Sequence, residues 1–170
     1  MKILVLYTSA TGFTRKYANW IAEALGTEAK EAKKVKQEEI ANYDCIIYGG
    51  WIMGNMIMGL DKIVKMNPKK LYVFAVGSSK DDDEIRKTIK EQNKLGDIPT
   101  YYFEGGFKFD ELGFFKKMIL NTIKKSVAKK ENKTPQDLYM QKVIGTSFDH
   151  SNPEYIKKLV DDVRGVYQCH

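Results

Sequence analysis

The chain has 170 residues, 43% of them hydrophobic and 29% charged, with a formal net charge of +6. That length suits a single domain spanning residues 1–170 that buries roughly two-thirds of its unfolded surface, and no apolar run approaches the roughly 20 residues of a membrane span. Two cysteines, Cys45 and Cys169, are too few for a disulfide framework, and Met1-Lys2 enters a short strand rather than a leader, so a cytoplasmic, reduced setting is expected.

In chain order, the aliphatic run Ile3-Leu4-Val5-Leu6-Tyr7 reads as a parallel strand buried on both faces. A hydroxyl-rich loop follows and opens a helix whose apolar positions Phe13, Tyr17, Ile21 and Leu25 recur every four residues. Residues 27–37 are polar and lysine-rich, with a short edge strand expected around Ala29 to Val35. Cys45-Ile46-Ile47-Tyr48 is a second buried strand, running into Gly49-Gly50-Trp51. Leu71 to Val76 is the strongest strand and ends at Gly77-Ser78-Ser79. A helix is expected from Asp81 to Leu95, with Asp81, Asp82, Asp83 and Glu84 at the end where the macrodipole favours acids. Thr100-Tyr101-Tyr102-Phe103 is a further strand, ending at Glu104-Gly105-Gly106-Phe107.

About forty residues, Gly105 to Gly145, then separate this strand from the last helix. They hold an amphipathic stretch, Leu112 to Lys125, and a second short helix with Thr134 as cap, Pro135 in its first turn and Asp137 at the third position. Asn152-Pro153 caps a final helix carrying Ile156, Leu159, Val160 and Val163. Strands alternating with helices predict a doubly wound parallel sheet with right-handed crossovers.

The first loop, Thr8-Ser9-Ala10-Thr11-Gly12-Phe13-Thr14, carries the most chemistry. A strand-loop-helix junction aims unpaired N–H groups and the positive helix end at one small volume, which suits a phosphate. Ser9, Thr11 and Thr14 add side-chain donors, so a dianion is bound without a dedicated lysine. Neither G-x-x-x-x-G-K-S/T nor G-x-G-x-x-G occurs, which sets aside a P-loop and weakens a dinucleotide site. His150 and His170, the only histidines, stand in no metal-ligand or triad spacing, so neither a metal site nor a catalytic residue is expected.

The run Ser9-Ala10-Thr11-Gly12-Phe13-Thr14 fits Ser/Thr-x-Thr-Gly-x-Thr, and here the sequence resembles the flavodoxin family. The resemblance implies a flavodoxin-like three-layer α/β/α sandwich with a five-stranded parallel sheet, and FMN as cofactor. It places the FMN phosphate on Thr8, Ser9, Ala10, Thr11, Gly12, Phe13 and Thr14. It places a second loop (Gly50, Trp51, Ile52, Met53, Gly54 and Asn55) against the isoalloxazine face and a third (Gly77, Ser78 and Ser79) at its pyrimidine edge. Trp51 either lies on the flavin face or plugs the strand end. The third loop lacks an aromatic residue, which departs from many electron-transfer flavodoxins.

Between Lys108 and Lys133 there are eight lysines against three acids, a local +5. Only three of the 28 basic residues are arginine, which argues against sequence-specific nucleic-acid binding. A basic chain with a helical insertion at about 105–145, after the fifth strand, resembles a narrower group, the flavodoxin-like protoporphyrinogen IX dehydrogenases. Tyr102 to Phe107 and Leu112 to Ile119 carry that likeness. It implies an FMN-dependent oxidoreductase passing electrons from a porphyrinogen to a quinone, with peripheral membrane contact through Lys108–Lys133. The alternative is a non-enzymatic electron carrier whose basic face docks a redox partner. The plainest expectation for the insertion is a helix packing Leu112, Phe115, Ile119 and Ile123 on the domain with its lysines outward.

Overall fold

The computed structural model describes residues 1–111 and 113–168. They form two compact units, one of residues 1–105 with the C-terminal segment from Ser151, the other Gly106–His150.

In the first unit β1 (Ile3–Thr8), β2 (Ala29–Glu31), β3 (Cys45–Met53), β5 (Leu71–Gly77) and β6 (Thr100–Glu104) form a parallel sheet in the order β2-β1-β3-β5-β6. β4 (Met56–Ile57) turns back antiparallel on β3, pairing Ile52 with Ile57 and Met53 with Met56. The strands read as unbroken apolar runs because helices cover both faces. Val5, Tyr7, Cys45, Ile47, Tyr72, Phe74, Val76, Tyr101 and Phe103 face one side, against Tyr17 and Ile21 of α1 (Phe13–Leu25) and Leu159 and Val163 of α7 (Lys157–Gln168). The alternate residues, Leu4, Leu6, Ile46, Tyr48, Val73, Ala75 and Tyr102, face the other. They meet Ile40 of α2 (Gln37–Ile40), Leu60 and Ile63 of α3 (Leu60–Lys65) and Ile89 of α4 (Asp83–Gln92). This is the flavodoxin-like α/β arrangement expected, with an antiparallel strand added.

Three local expectations change. The edge strand stops at Glu31, and Ala32–Lys34 forms a 3-10 turn. The acids before α4 divide: Asp82 caps the helix, accepting from the Ile85 N–H at 2.7 Å, and Asp81 lies outside it. The strand begun at Cys45 does not end at the glycines. It runs on to Met53, with Gly50 paired to Ala75 and Trp51 to Val76. Glycine is required here by packing, since a methyl group on Gly49 would overlap the Phe74 ring and one on Gly50 would fall 2.5 Å from Ile57 Cγ2.

The second unit joins β7 (Gly106–Lys108) to β8 (Ser147–Asp149) as an antiparallel pair, with Phe107 opposite Phe148. Its helices are α5 (Phe114–Ala128) and α6 (Pro135–Val143). Val127, Val143 and Ile144 are buried, and the Lys124 ammonium donates to the Ile144 carbonyl at 2.6 Å. The expected cap forms: Thr134 Oγ1 accepts from the Asp137 N–H at 3.1 Å, and Asp137 Oδ2 accepts from the Thr134 N–H at 3.0 Å. Lys130, 2.8 Å away, and these Thr134 bonds hold the Asp137 carboxyl down at about 2. The expectation that Ile119 and Ile123 pack inward fails: they are 57% and 38% exposed, beside Phe114 at 76% and Met118 at 50%. Leu112 and the side chain of Phe115 lie outside the described residues.

Candidate functional site

The parallel strands end together. Register sets Thr8 beside Gly50 and Gly50 beside Ala75, with Gly77 beside Glu104, so all three predicted loops leave the same edge of the sheet. The chain runs outward to β2 on one side of β1 and to β3 on the other, which puts the topological switch point between β1 and β3. Residues Ser9 to Gly12 span this point.

Gly12 is the N-cap of α1 and has φ +95°, a left-handed conformation that other residues adopt only under strain. Its N–H donates to Ser9 Oγ at 3.1 Å, which folds the loop on itself and leaves the serine proton available. No side chain caps α1 and no acid stands in its first turn. Thr14 is 1% exposed as a residue; its hydroxyl makes no hydrogen bond among the described residues and is not among the fully buried atoms. Thr11 is half-buried and Ala10 exposed. Phe13 is buried, and a methyl group on Gly105 would lie 3.4 Å from its Cβ, so the helix start packs against the chain leaving β6. Thr8 is engaged differently from its loop neighbours. The Tyr48 hydroxyl donates to the Met58 carbonyl at 2.6 Å and lies 2.8 Å from Thr8 Oγ1, below Gly59. Burial pushes the Tyr48 hydroxyl up to about 12, so it stays protonated.

The second loop is a hairpin tip rather than an irregular loop. Gly54 and Asn55 both have positive φ, +56° and +67°, the pair that a two-residue turn between β3 and β4 demands. Asn93, at the C-terminal end of α4, pins it: Nδ2 donates to the Asn55 carbonyl at 2.8 Å, and Oδ1 accepts from the Ile57 N–H at 2.8 Å. Trp51 and Ile52 are half-buried and Met53 is exposed. The third loop is fixed from β6. The Tyr102 hydroxyl donates to the Ser79 carbonyl at 2.7 Å, and Glu104 Oε1 accepts from the Asp81 N–H at 2.9 Å. Gly77 needs to be glycine, as a methyl group there would fall 2.5 Å from the Tyr102 hydroxyl. Burial holds the Asp81 carboxyl above its usual range, opposed by Arg86 at 2.8 Å.

The sequence model of the flavodoxin domain matches residues 4–134, from the first strand through the whole of α5. The chain belongs to the flavodoxin-domain family. Solved structures similar to this flavodoxin-domain protein include an archaeal flavodoxin, 16% identical, covering 85% of this chain and 94% of that one with a TM-score of 0.44. Oxidised Flavodoxin 2 from Bacillus cereus is 23% identical, over 61% of this chain and 84% of that one, TM-score 0.46. A flavodiiron core from Synechocystis is 16% identical with a TM-score of 0.44; it covers 60% of this chain, which spans only 29% of that larger protein. No curated protein matches the chain. The family assignment therefore rests on residues 4–134.

Membership of this family points to a flavin cofactor, FMN. The flavodoxin-domain loop fits a phosphate on two observations of its own: a helix start without a side-chain cap, and a Thr14 hydroxyl that makes no hydrogen bond among the described residues and is not sealed from solvent. The sequence reading missed the residues that brace the site, which are Tyr48, Asn93, Tyr102 and Glu104. Each acts across 10 to 40 residues of chain. Asn93, just past a helix end, was the one with a local signal.

Proposed function

We propose that this chain binds FMN at the three strand ends and works as a redox protein. The observation that carries this reading is the first turn of α1 at a switch point, without a side-chain cap and with a Thr14 hydroxyl that makes no hydrogen bond among the described residues. Ser9, Thr11 and Thr14 with the backbone N–H groups of the loop hold the phosphate. The hairpin of Trp51 to Asn55 and the turn Gly77 to Ser79 flank the ring, the first offering an indole, the second small residues and backbone donors. FMN supplies hydride and electron chemistry when bound. The protein's own part is to bind, orient and exclude water: Asn93 and Tyr102 keep the two ring-flanking loops in place, and Tyr48 keeps Thr8 turned into the fold.

As to the reaction, we favour oxidation of a large, planar, acidic substrate such as protoporphyrinogen IX, with electrons passed to a quinone. What supports it is α5, where Phe114, Met118, Ile119 and Ile123 stand exposed in a lysine-rich segment, a surface suited to an apolar ring system bearing carboxylates. The same surface suits peripheral contact with an anionic membrane. Among the described residues no helix is long and apolar enough to cross one. The second reading is an electron carrier docking an acidic partner, favoured by the local +5 between Lys108 and Lys133. The test is the absorbance spectrum of purified protein, followed by anaerobic assay with protoporphyrinogen IX and a quinone. Flavin absorbance with substrate oxidation that falls in the Met118→Ser/Ile119→Ser/Ile123→Ser variant supports the enzyme. Flavin absorbance without oxidation leaves the carrier, and a colourless protein with no FMN affinity removes both.

A further inference from the structure

The first turn of α1 is built against the ordinary electrostatics of a helix. The positive end of a helix favours acids and disfavours cations. Here the first four residues are Phe13-Thr14-Arg15-Lys16, with two cations and no acid. Lys16 is occupied, its ammonium donating to Ser151 Oγ at 2.7 Å and lying 5.2 Å above the Trp20 ring. Arg15 is exposed and has no hydrogen bond or ion pair among the described residues. Its guanidinium nevertheless folds back over the loop, since a methyl group on Gly12 would lie 4.0 Å from Arg15 Nη2.

The same position in α6 shows what is normal. Asp137, third in that helix, reaches back and accepts from the N–H of its cap. Arg15, third in α1, also reaches back to its cap but brings a positive charge to a positive helix end. That charge is mildly unfavourable by itself, and an anion bound at the helix start would make it favourable. A guanidinium fork matches the oxygens of a phosphate in charge and shape, and a charge-assisted pair of this kind is stronger than a neutral hydrogen bond.

We propose that Arg15 is a specificity residue for the flavin, pairing with the terminal phosphate and making the site selective for the phosphorylated form over riboflavin. The inference rests on the reading that the Ser9–Thr14 loop takes the phosphate of FMN. It adds a cation to a loop whose sequence pattern provides only neutral donors.

The experiment titrates the apoprotein with FMN and with riboflavin, following quenching of flavin fluorescence, for wild type, Arg15→Gln and Arg15→Lys at low and high salt. Loss of a charge-assisted phosphate contact weakens FMN by about 10- to 100-fold in Arg15→Gln, while riboflavin affinity stays within about twofold. Arg15→Lys keeps the charge without the fork and falls between the two. Wild-type affinity for FMN drops with salt more steeply than affinity for riboflavin. Because Arg15 is exposed and makes no hydrogen bond or ion pair among the described residues, its Gln and Lys variants are expected to melt with the wild type. An Arg15→Gln protein that binds FMN as tightly as wild type, with an unchanged preference over riboflavin, overturns the inference and leaves the flavin reading intact. A wild-type protein that binds neither flavin overturns both.

Discussion

Two helices of the main unit start from the ends of β1 and β5, which flank β3 in the sheet, and they start in opposite ways. α4 leaves β5 with its electrostatics closed: Asp82 caps it, Asp83 and Glu84 fill its first turn, and Arg86 returns to Asp81 at 2.8 Å. α1 leaves β1 with a glycine cap whose N–H is held by Ser9 Oγ, and with no side chain capping its first turn; among the described residues neither the Thr14 hydroxyl nor the Arg15 guanidinium makes a hydrogen bond or ion pair. A good cap is worth about 1 kcal/mol and a favourable charge at a helix end about 0.3–1 kcal/mol. α1 forgoes both, and its first-turn donors are left without a side-chain partner. The lesson is that a candidate site can be recognised as a place where the fold declines stabilisation that it takes elsewhere by the same means.

The strongest way to break this comparison is to remove the donors of α1. Thr11→Ala with Thr14→Val is expected to weaken FMN binding by about 1–3 kcal/mol per lost donor, read by flavin fluorescence titration; unchanged affinity would mean that the loop is not the phosphate site. At the far end of α4, Asn93→Ala leaves the Asn55 carbonyl and the Ile57 N–H without their partner. It should lower the unfolding free energy by about 1–3 kcal/mol, and faster amide exchange at Asn55 to Ile57 than in wild type would locate the effect in the hairpin.

Asp82→Ala removes the α4 cap and should cost about 1 kcal/mol in urea melts, with FMN present or absent. An equal effect of Asp82→Ala on FMN affinity would erase the contrast between the two helix starts. Arg15→Glu supplies the acid that α1 lacks. It is expected to raise apoprotein stability by about 0.3–1 kcal/mol while abolishing measurable FMN binding, so a less stable apoprotein would show that the arginine serves the fold.

The smallest effect concerns α6, the third helix start. Asp137 is held at about 2, below the ordinary carboxylate value, by Lys130 and Thr134. A depressed carboxyl contributes stability that is full above its unfolded pKa, roughly 4, and is lost as pH falls through its folded value. The helix signal of wild type should therefore decline between about pH 4 and 2. Asp137→Asn should lack that component of the decline, and identical acid profiles by circular dichroism would contradict the assignment.

Much of the frame is readable from local pattern. Burial on both faces makes β1 and β5 continuous aliphatic runs, and the caps Thr134 and Asn152 stand where their residue types place them. The glycine pair after Tyr48 misleads, because glycine weakens a strand in general. Here Phe74 and Ile57 occupy the space that side chains would need, so the strand continues. α2 and α3, of four and six residues, are too short for a periodic signal. In the insertion the amphipathic pattern of α5 is legible, but which of its apolar residues are buried is not: Val127 goes in, while Ile119 and Ile123 stay out.

Sequence alone therefore determines the doubly wound sheet and the strand, hydroxyl-rich turn and helix start of the first loop, since these are contiguous and their hydrogen bonds are local. Folding in three dimensions decides what those bonds leave over. Tyr48 takes up Thr8 from 40 residues away, Asn93 holds the hairpin from 38, and among the described residues no side chain bonds Thr14 or Arg15. A vacancy of that kind cannot be written in a motif, because it depends on every neighbour that the crossovers bring near and on none of them being a partner.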